Sequence, residues 1–220
     1  MAFIEMSDYA LPAIGIHRPL QPFDFSLAPN DVCRVDADTA EDAQAFIRAV
    51  ATLFHPVSGT YRYRGRRLNF GDYRSMLPIK KEIGYIGPHA ALICNRSLRD
   101  NLIMMRSYFE NTLVPTLDEE TAELCHHFRL TGKLGLRPVD LELADIRAAI
   151  AVRELCKTPA VLLVENPEDY IGYANLAQLV KQMNNVIGKG RPVVYTCGHE
   201  DLVRTAATRT LSIKNGMLRA

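Results

Sequence analysis

The chain has 220 residues, of which 48% are hydrophobic and 23% are charged, and its formal net charge is +1. These values predict a globular protein long enough for one large α/β domain, and they exclude a global attraction to nucleic acid or anionic lipid. The five cysteines are widely spaced without a Cys-x-x-Cys pair, so we expect buried thiols in a reducing cytosol and no metal site. No apolar run approaches the roughly 20 residues of a membrane span, so any membrane role is expected to pass through a partner.

The amino-terminal part of the chain combines strand and helix patterns. Phe23, Phe25 and Leu27 alternate with polar residues, which is typical of a half-buried antiparallel strand. Apolar residues recur at helical spacing over residues 40–53, with Thr39 as the expected N-cap. The predicted strands of this part cover residues 2–6, 23–27, 32–35 and 61–63.

The remainder of the chain alternates between short apolar strands and helices. The predicted strands cover residues 83–86, 160–164 and 193–195, and a terminal hairpin covers 211–218. The predicted helices lie within residues 97–135, 144–156, 176–183 and 202–207. This order predicts a mainly parallel central sheet with an antiparallel portion near the amino end. We expect a single domain over residues 1–220, with a helical subdomain inserted at about 97–140.

The stretch AVLLVENPEDYIG at residues 160–172 is expected to be the centre of the sheet. Its continuous aliphatic run predicts a strand that is buried on both faces. Glu165 and Asn166 follow this run directly, at the end of the strand where parallel α/β sheets place their ligands. A nucleotide site, if the chain has one, is therefore expected at this point.

Several motifs give the chain a specific resemblance. They are PVSGTYRYRG, IGYIG, TPAVLLVENP after a helix, and VVYTCGHED before RTLSIKNGML. In this order and spacing they resemble the ATP-binding subunit of ABC transporters over nearly the whole chain. The AALI and SLRDNLIMMR segments look most like the MCE-type lipid-transport branch. The resemblance implies a P-loop NTPase fold with a helical lobe, a membrane permease partner, and a homodimer or heterodimer of ATP-binding subunits.

The phosphate-binding loop of that family departs from its pattern here. An alignment without gaps through PVSG places residues 37–44 on the loop, including Asp38 and Thr39. No glycine remains in it, Ala43 replaces the phosphate-binding Lys, and Gln44 replaces the hydroxyl residue that binds Mg²⁺. We expect normal triphosphate binding to be lost, with Thr39 and nearby carboxylates satisfying the N–H groups of the helix instead.

The residues that the resemblance assigns to catalysis have also changed. Glu165 stands where the family has its Mg²⁺-linked Asp, and Asn166 stands where it has the catalytic Glu. An amide cannot accept a proton from water, so general-base catalysis is not expected at Asn166. Pro88 replaces the Gln that senses Mg²⁺ and water, and we expect His89 to be a surface residue. Only His199 matches, at the position of the switch histidine.

The family signature Leu-Ser-Gly-Gly-Gln is absent as well. Counting back from Pro159 assigns its position to Leu141, Glu142, Leu143, Ala144 and Asp145. The Ser and both glycines are missing, and two acidic residues are present. We expect this segment to begin a helix capped by Asp140 or Glu142.

The leading hypothesis is a degenerate ATP-binding-like subunit without normal ATP binding or hydrolysis, and hence without a resident cofactor. It would act as a structural or regulatory partner of a permease or a competent ATPase, in the cytoplasm at the inner face of the membrane. One alternative is an active ATPase that uses ATP and Mg²⁺ through unconventional motifs. A second alternative is a soluble interaction protein on the same scaffold.

Overall fold

The computed structural model describes residues 2–13, 18–110, 116–198 and 207–219. Within these ranges the strands form two sheets, of four and six strands. The strands are β1 (Ile4–Leu11), β2 (Leu20–Leu27), β3 (Val32–Ala37), β4 (Ser58–Tyr63), β5 (Arg66–Arg67), β6 (Ile83–Ile86), β7 (Val161–Glu165), β8 (Val193–Thr196), β9 (Arg209–Lys214) and β10 (Met217–Arg219). The helices are α1 (Ala40–Val50), α2 (Tyr73–Glu82), α3 (Leu98–Glu110), α4 (Glu119–His127), α5 (Leu143–Leu155) and α6 (Tyr173–Gly188).

The larger sheet has the strand order β10-β9-β3-β8-β7-β6, and all of its pairs are parallel except β9 with β10. The smaller sheet has the order β2-β1-β4-β5 and is antiparallel. The predicted α/β fold, with a mainly parallel central sheet and an antiparallel amino-terminal portion, is confirmed.

The central strand β7 is buried along its whole length, as its aliphatic sequence predicts. Val161 and Leu163 join the core between the two sheets, whereas Leu162 and Val164 join the core on the opposite face. Helix α1 lies in the first core, and α3 to α6 contribute to the second. Because successive side chains of a strand point to opposite faces, a strand between two cores must be apolar at every position.

One predicted helix boundary needs correction, and one helix was not predicted. Helix α1 ends at Val50 rather than Leu53, because Thr52 has a positive φ of 60° and Leu53 is 46% exposed. Helix α2 was not predicted, and it contains Pro78. Its N-cap is Asp72, whose side chain accepts a hydrogen bond from the Ser75 amide.

The predicted terminal hairpin forms through Asn215 and Gly216, whose φ values are +51° and +75°. Positive φ at both positions is typical of the Asn-Gly hairpin turn. A Cβ atom on Gly216 would lie 2.6 Å from the Pro19 carbonyl oxygen, so glycine is required there. The Gly216 carbonyl accepts a hydrogen bond from the Gln21 amide at 2.8 Å, which joins the hairpin to β2.

Helices α3 and α4 fall between β6 and β7, where the helical insertion is predicted. That residues 97–140 form a subdomain of their own stays a prediction. The expected break at Pro115 and almost all of the expected helix at 202–207 lie outside the described residues. No helix in the described ranges combines the length and the apolar character needed to cross a bilayer.

Candidate functional site

Of the residues singled out in the sequence, those at 38–44 and 165–166 lie where the central parallel strands end. Strand β3 ends at Ala37, β7 ends at Glu165, and β8 ends at Thr196. Helix α1 begins at Ala40, so its first turn faces this edge of the sheet after a two-residue connection. This is the crevice in which open α/β sheets bind their ligands.

The connection between β3 and α1 is closed by hydrogen bonds within the chain. It consists of Asp38 and Thr39 alone. The Thr39 hydroxyl oxygen accepts a hydrogen bond from the Asp42 amide at 3.3 Å, and Asp38 Oδ2 accepts one from the Asn215 amide at 3.0 Å. The N-cap at Thr39 is as predicted. The Thr39 side chain therefore bonds the Asp42 amide, and a phosphate-binding loop uses such backbone amides to bind its ligand.

The first turn of α1 carries a buried acid instead of a phosphate-binding group. Asp42 is fully buried, and its Oδ2 atom has no hydrogen-bond partner in the described protein. Its Oδ1 atom accepts a long hydrogen bond of 3.4 Å from the Arg18 amide. Ala43, at the Lys position of the family, is 5% exposed and packs into the core between the sheets. A bound polyanion would meet a carboxylate here without a compensating ammonium group.

The acid at the end of β7 is held by an arginine of α1. Glu165 has no exposed surface, and Arg48 donates to both of its oxygens, at 3.0 Å from Nη2 and 3.3 Å from Nε. The Tyr85 hydroxyl donates to the same carboxylate, and Arg48 also donates to Gln44 Oε1 at 3.4 Å. Glu165, Arg48 and Tyr85 thus form a partly buried network around the buried carboxylate, called here the Arg48 network.

The pKa values of Arg48 and Tyr85 shift in the directions expected beside a charged carboxylate. Burial lowers the pKa of Arg48, but the hydrogen bond and charge of Glu165 raise it, and the net direction is upward. Burial and the Glu165 charge raise the pKa of Tyr85, so its hydroxyl stays protonated and remains a donor. Tyr170 lies close enough to Glu165 for the same two causes to raise its pKa.

Asn166 makes the sharp turn that follows β7. It has a left-handed backbone with φ 37° and ψ 57°, a conformation that asparagine tolerates better than most residues. Its amide lies 3.1 Å from the Thr196 carbonyl oxygen and 3.0 Å from the Thr196 hydroxyl. Both contacts come from the backbone amide, so it is the left-handed backbone that gives asparagine a structural use at this position.

The loop after β6 is held by two arginines of α5. Arg147 donates to the carbonyl oxygens of Pro88, at 2.6 Å, and of Ala90, at 3.2 Å. Arg153 donates to the Ala91 carbonyl oxygen at 2.7 Å. Pro88 therefore contributes a backbone carbonyl that is already bonded, and His89 is exposed as predicted.

The signature-like segment is also bonded within the chain. Helix α5 begins at Leu143, and Glu142 occupies the N-cap position without a side-chain hydrogen bond. The prediction that the side chain of Asp140 or Glu142 caps this helix is therefore wrong. Asp145, in the first turn of α5, forms an ion pair with Lys133 at 2.6 Å. Leu143 is 64% exposed.

The sequence predicts which family positions have changed, but it does not reveal the two side chains that donate hydrogen bonds to Glu165. Arg48 and Tyr85 are 117 and 80 residues away from Glu165 in the chain. The sequence feature that pointed to such partners was Glu165 itself, because a buried carboxylate requires a cation or hydrogen-bond donors.

His199 lies outside the described residues. Among the residues described, no group of three or more His, Cys, Asp or Glu side chains could hold a metal ion.

Taken together, these residues do not fit a nucleoside triphosphate with Mg²⁺. The acid that would face the metal is paired with a guanidinium group, and the segment that would wrap the phosphates has no glycine and already has the Asp42 amide bonded to Thr39. A carboxylate bonded to arginine and tyrosine is not free to act as a hard oxygen ligand of Mg²⁺.

The architecture matches solved structures closely. The dimeric structure of MJ0796, a bacterial ABC transporter cassette, superimposes with a TM-score of 0.82 at 14% identity, covering 99% of this chain and 97% of that one. The chain has the ABC-transporter ATP-binding fold. The cbiO1 subunit from Clostridium perfringens, part of the ABC transporter complex cbiONQ, gives a TM-score of 0.72 at 11% identity, covering 100% of this chain and 87% of that one.

Curated relatives agree with this ABC ATP-binding fold, although no protein-family model matches the chain. The methionine import ATP-binding protein MetN of Mannheimia succiniciproducens is 23% identical over 192 residues, covering 86% of this chain and 54% of MetN. The lipoprotein-releasing system ATP-binding protein LolD 2 of Chlorobaculum tepidum is 22% identical, covering 98% of this chain and 89% of that protein. The chain spans about half the length of the MetN relatives it matches. The predicted resemblance to ABC-transporter ATP-binding domains is confirmed.

Replacement of Thr39 by alanine tests the closed loop. The expected loss is about 1 kcal/mol in the free energy of unfolding, because the Asp42 amide loses its acceptor. Urea denaturation followed by circular dichroism measures this change. Thr39→Ser keeps the hydroxyl and is the control, so equal losses in both variants would contradict the capping role.

Proposed function

We propose that this chain is an ABC-type ATP-binding-like subunit that works without a nucleotide of its own. Its role would be structural or regulatory, in complex with a membrane permease or with a competent ATPase subunit. The observation that carries the proposal is the Arg48 network, in which the protein itself neutralises the acid that the family uses for Mg²⁺.

The free-energy cost of separating Arg48 from Glu165 supports a subunit that works without its own nucleotide. For Mg²⁺ to reach Glu165, Arg48 must leave a carboxylate that has no exposed surface. Breaking a buried ion pair by removing one partner costs about 3–5 kcal/mol, and the metal would have to offset that cost. The Asp42 carboxylate adds repulsion against the phosphates, and Ala43 gives no positive charge to oppose it.

The relatives guide the choice of partner. PvdT of Pseudomonas entomophila is a pyoverdine export ATP-binding/permease protein, and MetN is named for methionine import. The MJ0796 cassette was solved as a dimer. We therefore propose a permease and a second ATP-binding subunit as partners, at the cytoplasmic face of a membrane. The lipid-transport branch suggested by the sequence remains part of this proposal.

An active subunit with unconventional motifs is the second candidate. It is favoured by the curated relatives, whose names describe ATP-binding proteins. It requires the Arg48 network to open when ATP arrives. The two candidates differ in whether the isolated chain binds Mg-ATP.

Calorimetric titration of the full chain with Mg-ATP separates the two candidates. No binding is expected at micromolar ATP, because the loop amides and Glu165 are already bonded within the protein. An ABC ATP-binding domain with an intact phosphate loop serves as the positive control. A micromolar dissociation constant for this chain would sink the proposal, and co-purification from native membranes tests the permease partner separately.

A further inference from the structure

A small cavity lies against β6, the edge strand of the large sheet, beside the Arg48 network. It has a volume of about 170 Å³ and is bordered by the ends of α1 and α2, by β6 and by α5. Its charged lining consists of Lys80, Arg153, Glu154 and Lys157. Three cations and one carboxylate therefore face the same small space.

The carboxylate of Glu154 is already bonded to both of the neighbouring cations. Glu154 accepts from Arg153 Nε at 3.0 Å and from Lys157 Nζ, and its Oε2 atom also accepts from the Tyr85 amide at 3.3 Å. These charged side chains are well shielded from water, with exposures of 14% for Arg153, 6% for Glu154 and 13% for Lys157. Two buried cations thus share one buried anion, which leaves one positive charge uncompensated.

Lys80 adds a further positive charge at the cavity. Its Nζ atom donates to the Thr52 carbonyl oxygen at 3.4 Å and to the Thr52 hydroxyl at 3.3 Å. Within the described ranges, no carboxylate forms an ion pair with Lys80. Burial and then the charge of Lys157 lower the pKa of Lys80, as expected for an ammonium group that lacks a counterion.

We propose that this cavity binds a small oxyanion of the phosphate class. An anion placed among Lys80, Arg153 and Lys157 would offset the excess positive charge and give the buried cations charge-assisted hydrogen bonds. The volume is below the roughly 300 Å³ at which drug-sized ligand sites begin, so the cavity suits a single phosphate-sized group rather than a whole nucleotide.

The position of the cavity connects it to the Arg48 network. Tyr85 bonds Glu154 through its amide and Glu165 through its hydroxyl, so one residue contacts both sites. The proposed anion site nevertheless uses none of the loop residues between β3 and α1. It therefore stands or falls independently of the proposal that the chain has lost nucleotide binding.

Phosphate binding to the full chain tests the site directly. At constant ionic strength and neutral pH, inorganic phosphate is expected to bind in a calorimetric titration and to raise the melting temperature, whereas chloride is not. Lys80→Gln is expected to weaken phosphate binding on the order of tenfold or more. Lys81→Gln is the matched control, because it removes the same charge from the same turn of α2 while Lys81 does not line this cavity.

The outcomes distinguish the possible sources of the anion. If phosphoserine binds as well as inorganic phosphate, the site accepts phosphate monoesters, and if it does not, the ligand is the free ion. Absence of phosphate binding by the wild-type chain, or equal loss in the Lys80 and Lys81 variants, would overturn the proposal. Micromolar binding of Mg-ATP would contradict the proposed function, whereas the phosphate titrations alone decide whether this cavity binds an oxyanion.

Discussion

Replacement of Arg48 by methionine is expected to lower the free energy of unfolding by about 3–5 kcal/mol. The variant removes both guanidinium donors from Glu165, which has no exposed surface, and leaves the Tyr85 hydroxyl as its remaining side-chain donor. A buried carboxylate without a cation is among the costliest defects that a single substitution can create. Urea denaturation of the two proteins at neutral pH, followed by circular dichroism, measures the difference.

Two further variants separate the ion pair from general effects of losing arginine. Arg62→Met removes an exposed arginine of β4 and is expected to change the stability by less than about 0.5 kcal/mol. The double variant Arg48→Met with Glu165→Met removes the whole pair and is expected to regain most of the loss, since apolar replacements of buried pairs are often neutral. If Arg48→Met were as harmless as Arg62→Met, Glu165 would not depend on Arg48.

The fold was largely predictable because its strands carry clear patterns. Strand β7 lies between two cores and is therefore aliphatic from Val161 to Val164, with Glu165 at its end. Strand β2 has one face in the core and therefore alternates at Phe23, Phe25 and Leu27. Helix α2 was missed because few of its residues are buried and Pro78 interrupts its sequence pattern. A helix with little apolar surface against the core leaves a weak periodic signal.

The site was predictable only where a substitution removes a chemical group. The sequence alone predicts the replacement of lysine by Ala43 and of a carboxylate by Asn166, and both stay predictions. Which side chain satisfies Glu165 could not be predicted, because Arg48 is 117 residues away and reaches it only after α1 packs against the sheet. The alignment therefore places Glu165 at the position of the Mg²⁺-linked Asp, whereas its contacts are those of a buried ion pair.

The packing that brings Arg48 to Glu165 depends on Phe46, two residues earlier in α1. The Phe46 side chain has no exposed surface, and its ring centroid lies 5.6 Å from that of Phe23 and 5.1 Å from that of Phe25. Both partners belong to β2, so Phe46 joins α1 to the antiparallel sheet while Arg48 joins it to the central sheet. The orientation of α1 is thus fixed from both sides.

Phe46→Ala is expected to lower the free energy of unfolding by about 3–5 kcal/mol, because it leaves a cavity among aromatic rings that cannot collapse fully. Leu53→Ala is the control, since Leu53 lies just beyond α1 and is 46% exposed, and its loss should be small. Combined with Arg48→Met, Phe46→Ala is expected to cost less than the sum of the two single losses, because both act through the placement of α1. Strict additivity in urea denaturation would contradict this coupling and would mean that Arg48 finds Glu165 without help from the antiparallel sheet.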